Sequence, residues 1–365
     1  MNTALVHDWL NGMRGGEKVL EHICSLFPNA PIFTLHSEKN KISEIINAHK
    51  TSNSFIQNLP FKKSIYRYYL PLFPKAIEKF KFDDFDLAIS TSHCAAKGIK
   101  VDNSTCHICY CFTPMRYVWS LADQYFGKNP VKRALLKPFL SYLKKWDFES
   151  SKRVNRFITI SKTTQKRIKA FYGRESSIIY PPCNIPFSPV NDKEDFYLII
   201  SALVPYKKID LAINVFNELK YPLKIAGSGP DEKRLKKIAG PNISFSGWIS
   251  EDEKIDLYKK AKAFIFPGVE DFGITPLESI SCGTPVIALK EGGALETINE
   301  ETGIFFDSQS EQSLKEAVLK FHKNPFSIQT KPDYFDKFSP AAFKENIKTT
   351  IADTFTAFKK GKLIF

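Results

Sequence analysis

Between Phe264 and Thr297 the chain reads FIFPGVEDFGITPLESISCGTPVIALKEGGALET, and this stretch holds the residue types best placed for chemistry. An apolar run ends near Pro267, a loop carries Glu270, Asp271, Phe272 and Gly273, and a helical pattern begins at Pro276. Thr275-Pro276-Leu277-Glu278 fits a capping box, with Thr275 as N-cap, Pro276 at N1 and Glu278 at N3, which would make Glu278 structural. Capping does not account for Glu270, an acidic residue at the exit of a strand, where doubly wound sheets bind their ligands.

Two glycine turns invite an anion. Gly12-Met13-Arg14-Gly15-Gly16-Glu17 lies between a strand and a helix, so its backbone amides and the helix N-terminus favour negative charge. It matches neither the G-x-G-x-x-G fingerprint nor the phosphate loop ending in G-K-[ST], which removes support for dinucleotide dehydrogenases and P-loop NTPases. Gly227-Ser228-Gly229-Pro230 occupies the matching place in the second half. Either turn also serves a tight strand-to-helix connection. Cys106-His107-Ile108-Cys109-Tyr110-Cys111 resembles a metal cluster at first sight. Alternation in a strand sends Cys106 and Cys109 to opposite faces, and zinc needs converging ligands, so a buried core strand is expected.

The elements that carry these residues fall into two halves with one rhythm. Strands are predicted at Thr3–His7, Pro31–Leu35, Leu87–Ser90, His107–Tyr110 and Phe157–Ile160, with helices at Glu17–Leu26, Val131–Trp146 and Lys162–Tyr172. A Pro-rich stretch over Tyr180–Pro189 reads as a linker. Strands follow at Tyr197–Ser201, Leu223–Ala226, Ile243–Phe245, Ala263–Phe266 and Pro285–Ala288, alternating with helices at Ile209–Glu218, Asp231–Ala239, Glu251–Lys259, Pro276–Ser281 and Ser313–Phe321. Pro340–Lys360 reads as a last long helix. Such alternation implies parallel sheets flanked by helices, an α/β fold of two doubly wound domains.

The length of 365 residues suits two domains, and 43% hydrophobic with 25% charged residues is ordinary globular composition. Ala4–Val6 runs directly into His7 and Asp8, so no signal peptide is read, and no apolar run reaches the length of a spanning helix. An odd set of seven cysteines argues against a disulfide framework and for a reducing compartment. The expectation is a soluble, cytoplasmic protein. The net charge of +13 favours polyanions, anionic lipid or a negatively charged small substrate. Basic residues interleave with aromatics over Phe61–Phe82 and Lys128–Arg156, a composition that suits an anionic membrane surface as well as a solvated helix face.

Glu270 and Glu278, separated by seven residues around Phe272-Gly273-Ile274-Thr275-Pro276, resemble the E-x7-E signature of retaining glycosyltransferases of family four. Cys282-Gly283-Thr284-Pro285, Glu291-Gly292-Gly293, Lys207, Gly227-Ser228-Gly229-Pro230 and Ser246-Gly247-Trp248 extend the resemblance. In the first half His7-Asp8-Trp9, Arg14-Gly15-Gly16-Glu17-Lys18, Ser92-His93, Thr113-Pro114-Met115-Arg116-Tyr117 and Tyr180-Pro181-Pro182 resemble a narrower group, the mannosyltransferases of O-antigen and capsule assembly.

The resemblance implies a GT-B fold: two Rossmann-like domains facing across a cleft. Residues 1–185 would bind the acceptor, 190–349 the nucleotide-sugar donor, and a helix over about 350–365 would pack back on the first domain. The implied activity is transfer of a hexosyl group, mannose from GDP-mannose, to a lipid-linked or surface-polysaccharide acceptor with retention and without a metal or other cofactor. Glu270, His93 and Lys207 are the implied catalytic residues. Donor contacts would come from Gly15, Gly16, Lys207, Lys208, Gly227, Gly229, Trp248, Ile249, Phe272, Gly273, Ile274, Thr275 and Glu278, the last holding the ribose. His7, Asp8, Arg14, Arg116 and Trp119 are the acceptor candidates, and a peripheral position on the inner face of the plasma membrane fits a lipid-linked acceptor.

Two positions depart from the family pattern. Many members carry arginine where this chain has Ala202, so Lys208, Arg14 or Arg116 would have to supply that charge. Phe112 stands where close relatives often show histidine before Thr-Pro. Asp84-Phe85-Asp86 has the D-x-D form of metal-dependent transferases, but at a strand entry in the first half. The competing readings are a nucleotide-sugar 2-epimerase of the same fold, a donor-binding pseudoenzyme, and a nucleic-acid-binding protein, for which the chain shows no recognition motif.

Overall fold

Runs of four to six apolar residues become strands buried on both faces when helices cover the sheet, and the central strands here show this directly. In the computed structural model, β1 (Thr3–His7), β4 (Leu87–Ser92) and β5 (Cys106–Cys111) are buried at every residue. With β2 (Ile32–Thr34), β3 (Thr51–Asn53), β6 (Arg156–Thr159) and β7 (Ser176–Ile178) they form a parallel sheet in the order β3-β2-β1-β4-β5-β6-β7. The edge strands β3 and β7 are short and polar, with no buried residue, which is why apolar patterning does not reveal them. The structure describes all residues except 62–65, 120–129, 191, 329–332 and 363–365.

The crossovers are made by α1 (Gly15–Leu26), α2 (Pro130–Ser151) and α3 (Lys162–Tyr172), among shorter turns. Ser161 caps α3 by accepting from the Thr164 amide at 3.0 Å, and Gly173, at φ +68°, ends it. In β5, Cys109 and Cys111 join Phe157 and Tyr172 in one apolar cluster, and all seven cysteines are buried and free, so the core-strand reading holds.

His107 Nε2 meets Ser90 Oγ at 2.8 Å beneath that sheet. Burial, with help from the Arg153 charge, pushes the imidazole down to about 3 from its ordinary 6.5. The folded chain therefore keeps this histidine neutral while the unfolded chain takes up a proton near pH 6.5. Stability from this group is complete above that pH and is lost as pH falls toward 3. His107→Gln, which can still bond Ser90, is expected to shrink the drop in Tm between pH 7 and pH 4 by several degrees. An unchanged acid limb in calorimetry would assign the loss elsewhere.

The second sheet runs β10-β9-β8-β11-β12-β13, again all parallel, from β8 (Tyr197–Ile200), β9 (Leu223–Ala226), β10 (Ile243–Gly247), β11 (Ala263–Phe266), β12 (Val286–Leu289) and β13 (Gly303–Phe306). Its longer helices are α4 (Ile209–Leu219), α5 (Glu251–Lys260), α6 (Ile274–Ser281) and α7 (Glu311–Lys323). Ile199, Ile225, Ile265 and Ile287 meet Ile213, Phe216, Leu314 and Val318 in its core.

The chain divides into two compact units, 1–182 with 340–365, and 183–339. Both limits differ from the 185 and 190–349 expected from sequence. The proline-rich stretch after residue 182 is pinned within the second unit, where the Cys183 amide donates to Phe338 and the Ser188 amide to Ser281, each at 2.8 Å. The final helix, α8 (Pro340–Lys359), belongs to the first unit from its first turn. Phe343, Ile347, Ile351 and Thr354 form its buried stripe, and the Phe343 ring lies 5.8 Å from Tyr110 and 6.0 Å from His22. Asp86 of the D-x-D triplet accepts from the Asn2 amide at 2.8 Å and pairs with Lys359 at 3.6 Å, so it ties the chain's start to α8.

Candidate functional site

In a doubly wound sheet the loops after two neighbouring strands diverge where the strand order reverses, leaving room for a ligand at their carboxyl ends. That point lies between β8 and β11 in the second unit and between β1 and β4 in the first. The singled-out residues of each unit collect there.

After β8, residues 201–208 carry Lys207; after β11, residues 267–273 carry Glu270. Their side chains form an ion pair, Lys207 Nζ to the Glu270 carboxylate, at 18% and 15% exposure. The first loop is held by backbone bonds, Leu203 N–H to Ser228 and Asp231 N–H to Leu203, both 3.0 Å. A Cβ on Gly227 or Gly229 would run into the backbone of Ser201 or Leu203. These glycines serve first as packing surfaces for the Lys207 loop. Lys208 takes a left-handed conformation (φ +54°) as N-cap of α4, and Ala202 is exposed.

The Glu270 loop rests on the Gly292-Gly293 pair. The Gly293 amide donates to the Glu270 carbonyl at 2.8 Å, and a Cβ on Gly293 would strike the Phe272 backbone. The Phe272 ring is buried against Phe338, with ring centres 5.9 Å apart.

The expected capping box does not form. Gly273, at φ +88°, is the N-cap of α6 and starts the helix at Ile274, ahead of Pro276, so Thr275 is helical and Glu278 stands beyond N3. The Glu278 carboxylate instead accepts from Lys254 Nζ at 2.9 Å and from the Tyr258 hydroxyl at 3.3 Å, and is 6% exposed as a residue. Burial works against the Lys254 charge, but Glu278 and Glu251 outweigh it and hold its pKa above the ordinary value. A carboxylate offers about four acceptor directions, so two protein donors leave capacity for hydroxyl donors from a ligand. Sequence reading missed Lys254 and Tyr258. Their spacing of four places an ammonium and a phenol on one face of α5, a signal hidden because both read as ordinary helix residues. Trp248 follows Gly247 (φ +70°) and is 78% exposed, with Ile249 half-buried beside it.

In the first unit Asp8 has another role than the expected ligand contact. Its buried carboxylate accepts from the amides of His93 (2.7 Å), Cys94 (3.0 Å), Ala95 (2.6 Å) and Ala96 (2.7 Å), and pairs with His93 Nδ1 at 3.0 Å. Five donors occupy it. The same contact orients His93, whose ring is edge-on to Trp9 at 4.5 Å and whose side chain stays 29% exposed. Burial sets the direction of the His93 pKa, downward, and Asp8 opposes it.

His7 is buried, with Nδ1 2.7 Å from Thr91 Oγ1, and burial pushes it down to about 4. Among the described residues its Nε2 has no hydrogen-bond partner. Gly16 lies against it: a Cβ there would sit 3.6 Å from the His7 ring and 3.4 Å from Phe112, whereas Gly15 has open space. Phe112 thus packs on the glycine turn. Glu17 accepts from the Arg14 amide at 3.2 Å, and burial pushes its carboxyl up to about 7. Arg14 is exposed and bonds Asn11 Oδ1 at 3.1 Å; Arg116 is half-buried.

Trp119, one of the acceptor candidates, is half-buried: its indole stacks on Phe171 at 4.7 Å and donates to Asp147 at 2.7 Å, where α2 and α3 pack together. Among the described residues no three His, Cys, Asp or Glu side chains gather as a metal site.

The model of the family Glycosyl transferases group 1 matches residues 184–343, nearly all of the second unit. A GDP-mannose-dependent monoacylated alpha-(1-6)-phosphatidylinositol monomannoside mannosyltransferase of Corynebacterium glutamicum is 28% identical over 199 residues, 46% of this chain and 52% of that protein. O-antigen chain mannosyltransferase RfbU of Salmonella typhimurium is 23% identical over 218 residues, 56% and 62% of the two chains. The chain spans about half the length of the curated relatives it matches. Among solved structures, Anabaena Alr3699/HepE in complex with UDP-glucose superposes with a TM-score of 0.71 at 15% identity, covering 96% of this chain and 99% of that one. A mutant of S. aureus TarM, in complex with Fondaparinux, alpha-GlcNAc-glycerol and UDP, gives 0.60 at 12%, covering 98% and 99%. These transferase names give the epimerase and nucleic-acid readings no support. The chain thus has two parallel doubly wound sheets of the GT-B fold, and its second unit matches the group 1 glycosyltransferases.

Proposed function

We propose that the protein is a retaining glycosyltransferase that moves a hexosyl group, with mannose from GDP-mannose as the favoured donor, to a lipid-linked or surface-polysaccharide acceptor. The observation that carries this reading is the Lys207–Glu270 pair at the β8/β11 edge, together with a Glu278 carboxylate on α6, the helix that follows the Glu270 loop, pinned by Lys254 and Tyr258. Each part suits one portion of a sugar nucleotide. Glu278 takes the ribose hydroxyls, Trp248 and Ile249 meet the base, and the amides of Phe272, Gly273 and Ile274 meet the sugar and diphosphate. Thr275 stands on the first turn of α6 beside them.

Chemistry here asks mainly for charge stabilisation. Cleaving the anomeric bond leaves added negative charge on the nucleoside diphosphate and positive character on the sugar. The Lys207 ammonium answers the first and the Glu270 carboxylate the second, with Lys208 beside them in place of the arginine absent at Ala202. A resident lysine supplies this charge without a metal ion. The mannose preference rests on relatives such as the Corynebacterium and Salmonella mannosyltransferases. In the first unit, His93, Arg14 and Arg116 are the side chains assigned to substrate, with the amides of Gly15 and Gly16 at the start of α1. His7, buried beneath Gly16, shapes that turn.

Thermal-shift measurements with GDP, UDP and dTDP test the donor. A nucleotide present at about one hundred times its Kd stabilises the fold by about 2.7 kcal/mol, a shift of several degrees. GDP is expected to give the largest shift, and Glu278→Gln to abolish most of it. Equal silence from all three nucleotides would end this reading, and a larger shift with UDP would reassign the base.

A further inference from the structure

We propose that the first unit carries a docking face for an anionic lipid bilayer, formed by α2 and the segment 66–79, on which the protein lies without crossing. Six of the eleven large apolar side chains exposed among the described residues fall on or next to these two segments, a concentration that scattered surface residues do not show. Leu135 is 77% exposed, Val131 69% and Tyr142 52%, at spacings of four and seven that put them along one side of α2. Phe61 and Tyr68 are exposed by 77% and 81%.

The opposite sides of both segments are ordinary core. Phe139, Leu140, Leu143 and Trp146 of α2 pack in the same cluster as Tyr66, Leu70 and Phe73, and Trp146 Nε1 donates to Glu78 at 2.7 Å. One shared core therefore holds the two exposed surfaces together. A groove of about 340 Å³ runs beside α2, lined by Val118, Ala134, Leu140 and Ser141 with Lys137 and Lys144.

The charges select the occupant. Lys137, Lys144 and Lys145 are exposed on α2, and Arg67, Lys75 and Lys79 on the other segment. Between residues 130 and 146 there is no acidic residue, and Glu78 is already paired with Lys100 and Arg153. Lysine stems lie on apolar surface while their heads reach phosphates, and tyrosines suit the headgroup layer. A second copy of the same face would bring like charges together. No described helix is long and apolar enough to cross a membrane, in keeping with a surface that lies on one. Lys62, Lys63 and Lys128 of the basic runs lie outside the described residues.

Vesicle flotation of the full chain tests this without any sugar nucleotide, so its outcome is separate from that of the transfer reading. Wild-type protein is expected to float with phosphatidylglycerol-containing vesicles and to stay behind with pure phosphatidylcholine. The double variant Leu135→Asp/Tyr142→Asp and the triple variant Lys137→Gln/Lys144→Gln/Lys145→Gln should each lose at least about tenfold in bound fraction. Leu295→Asp, an exposed position of the second unit, should bind as wild type. Matching circular dichroism and Tm certify that the surface variants fold. Equal binding to both vesicle types, wild-type flotation by both variants, or a dimer that Leu135→Asp dissociates in sedimentation would each overturn the proposal.

Discussion

Lys207→Ala is expected to lower kcat/KM for sugar transfer by about 10²–10³-fold, the loss typical when a preorganised group that meets developing charge is removed. The ammonium is mostly buried, paired with Glu270, and carried on a loop whose backbone is fastened to Gly227–Asp231. A charge held this way needs little reorganisation when a diphosphate departs. The alternative is that the pair merely joins two loops. Lys207→Met/Glu270→Gln separates these roles, because it removes both charges and leaves no buried ion alone. Its Tm is expected to recover toward wild type while turnover stays low. Recovery of turnover along with Tm would show the pair to be structural, and unchanged turnover in Lys207→Ala would remove the phosphate assignment altogether.

Asp8→Ala is expected to cost about 3–5 kcal/mol of stability, because four backbone amides and the His93 imidazole lose their common acceptor inside the fold. In a unit of this size that amounts to a Tm lower by about 10 °C. Asp8→Asn keeps an acceptor oxygen but not the charge, so it should fall between wild type and alanine. Differential scanning calorimetry measures the series. A variant with wild-type Tm and no transfer would return Asp8 to the acceptor-binding role that its position after β1 suggests. Activity should fall in either case, since the His93 ring takes its orientation from this carboxylate.

Several features are legible in the sequence. Ala263–Phe266, Leu223–Ala226, Thr3–His7 and Lys162–Tyr172 have the predicted bounds, because four or five apolar residues between turn formers, or a Ser cap and a Gly stop, leave few alternatives. Two strands that escape such reading, β3 and β7, are short and lie at the sheet edge, where burial no longer dictates composition. Glu270 and Lys207, both singled out by type and place, meet as an ion pair although 63 positions separate them in the chain.

The roles of individual side chains are harder to read. Thr275, Pro276 and Glu278 have the right spacing for a capping box, yet Gly273 in a left-handed conformation starts the helix earlier and frees Glu278 for Lys254 and Tyr258. Trp119 carries no mark in the sequence that it will stack on Phe171. Asp8 looks like any carboxylate after a strand until the turn over residues 93–96 folds onto it.

By itself, the order of amino acids determined two parallel sheets, the loops that leave their carboxyl ends, and the residue types those loops display, since hydrophobic periodicity and glycine placement act over a few neighbours. Tertiary structure alone decided which of those polar groups remain available and which are consumed. That choice depends on donors and acceptors brought from distant segments, as with the amides that saturate Asp8 and the ammonium and phenol that hold Glu278. Desolvation makes those pairings obligatory once the core closes.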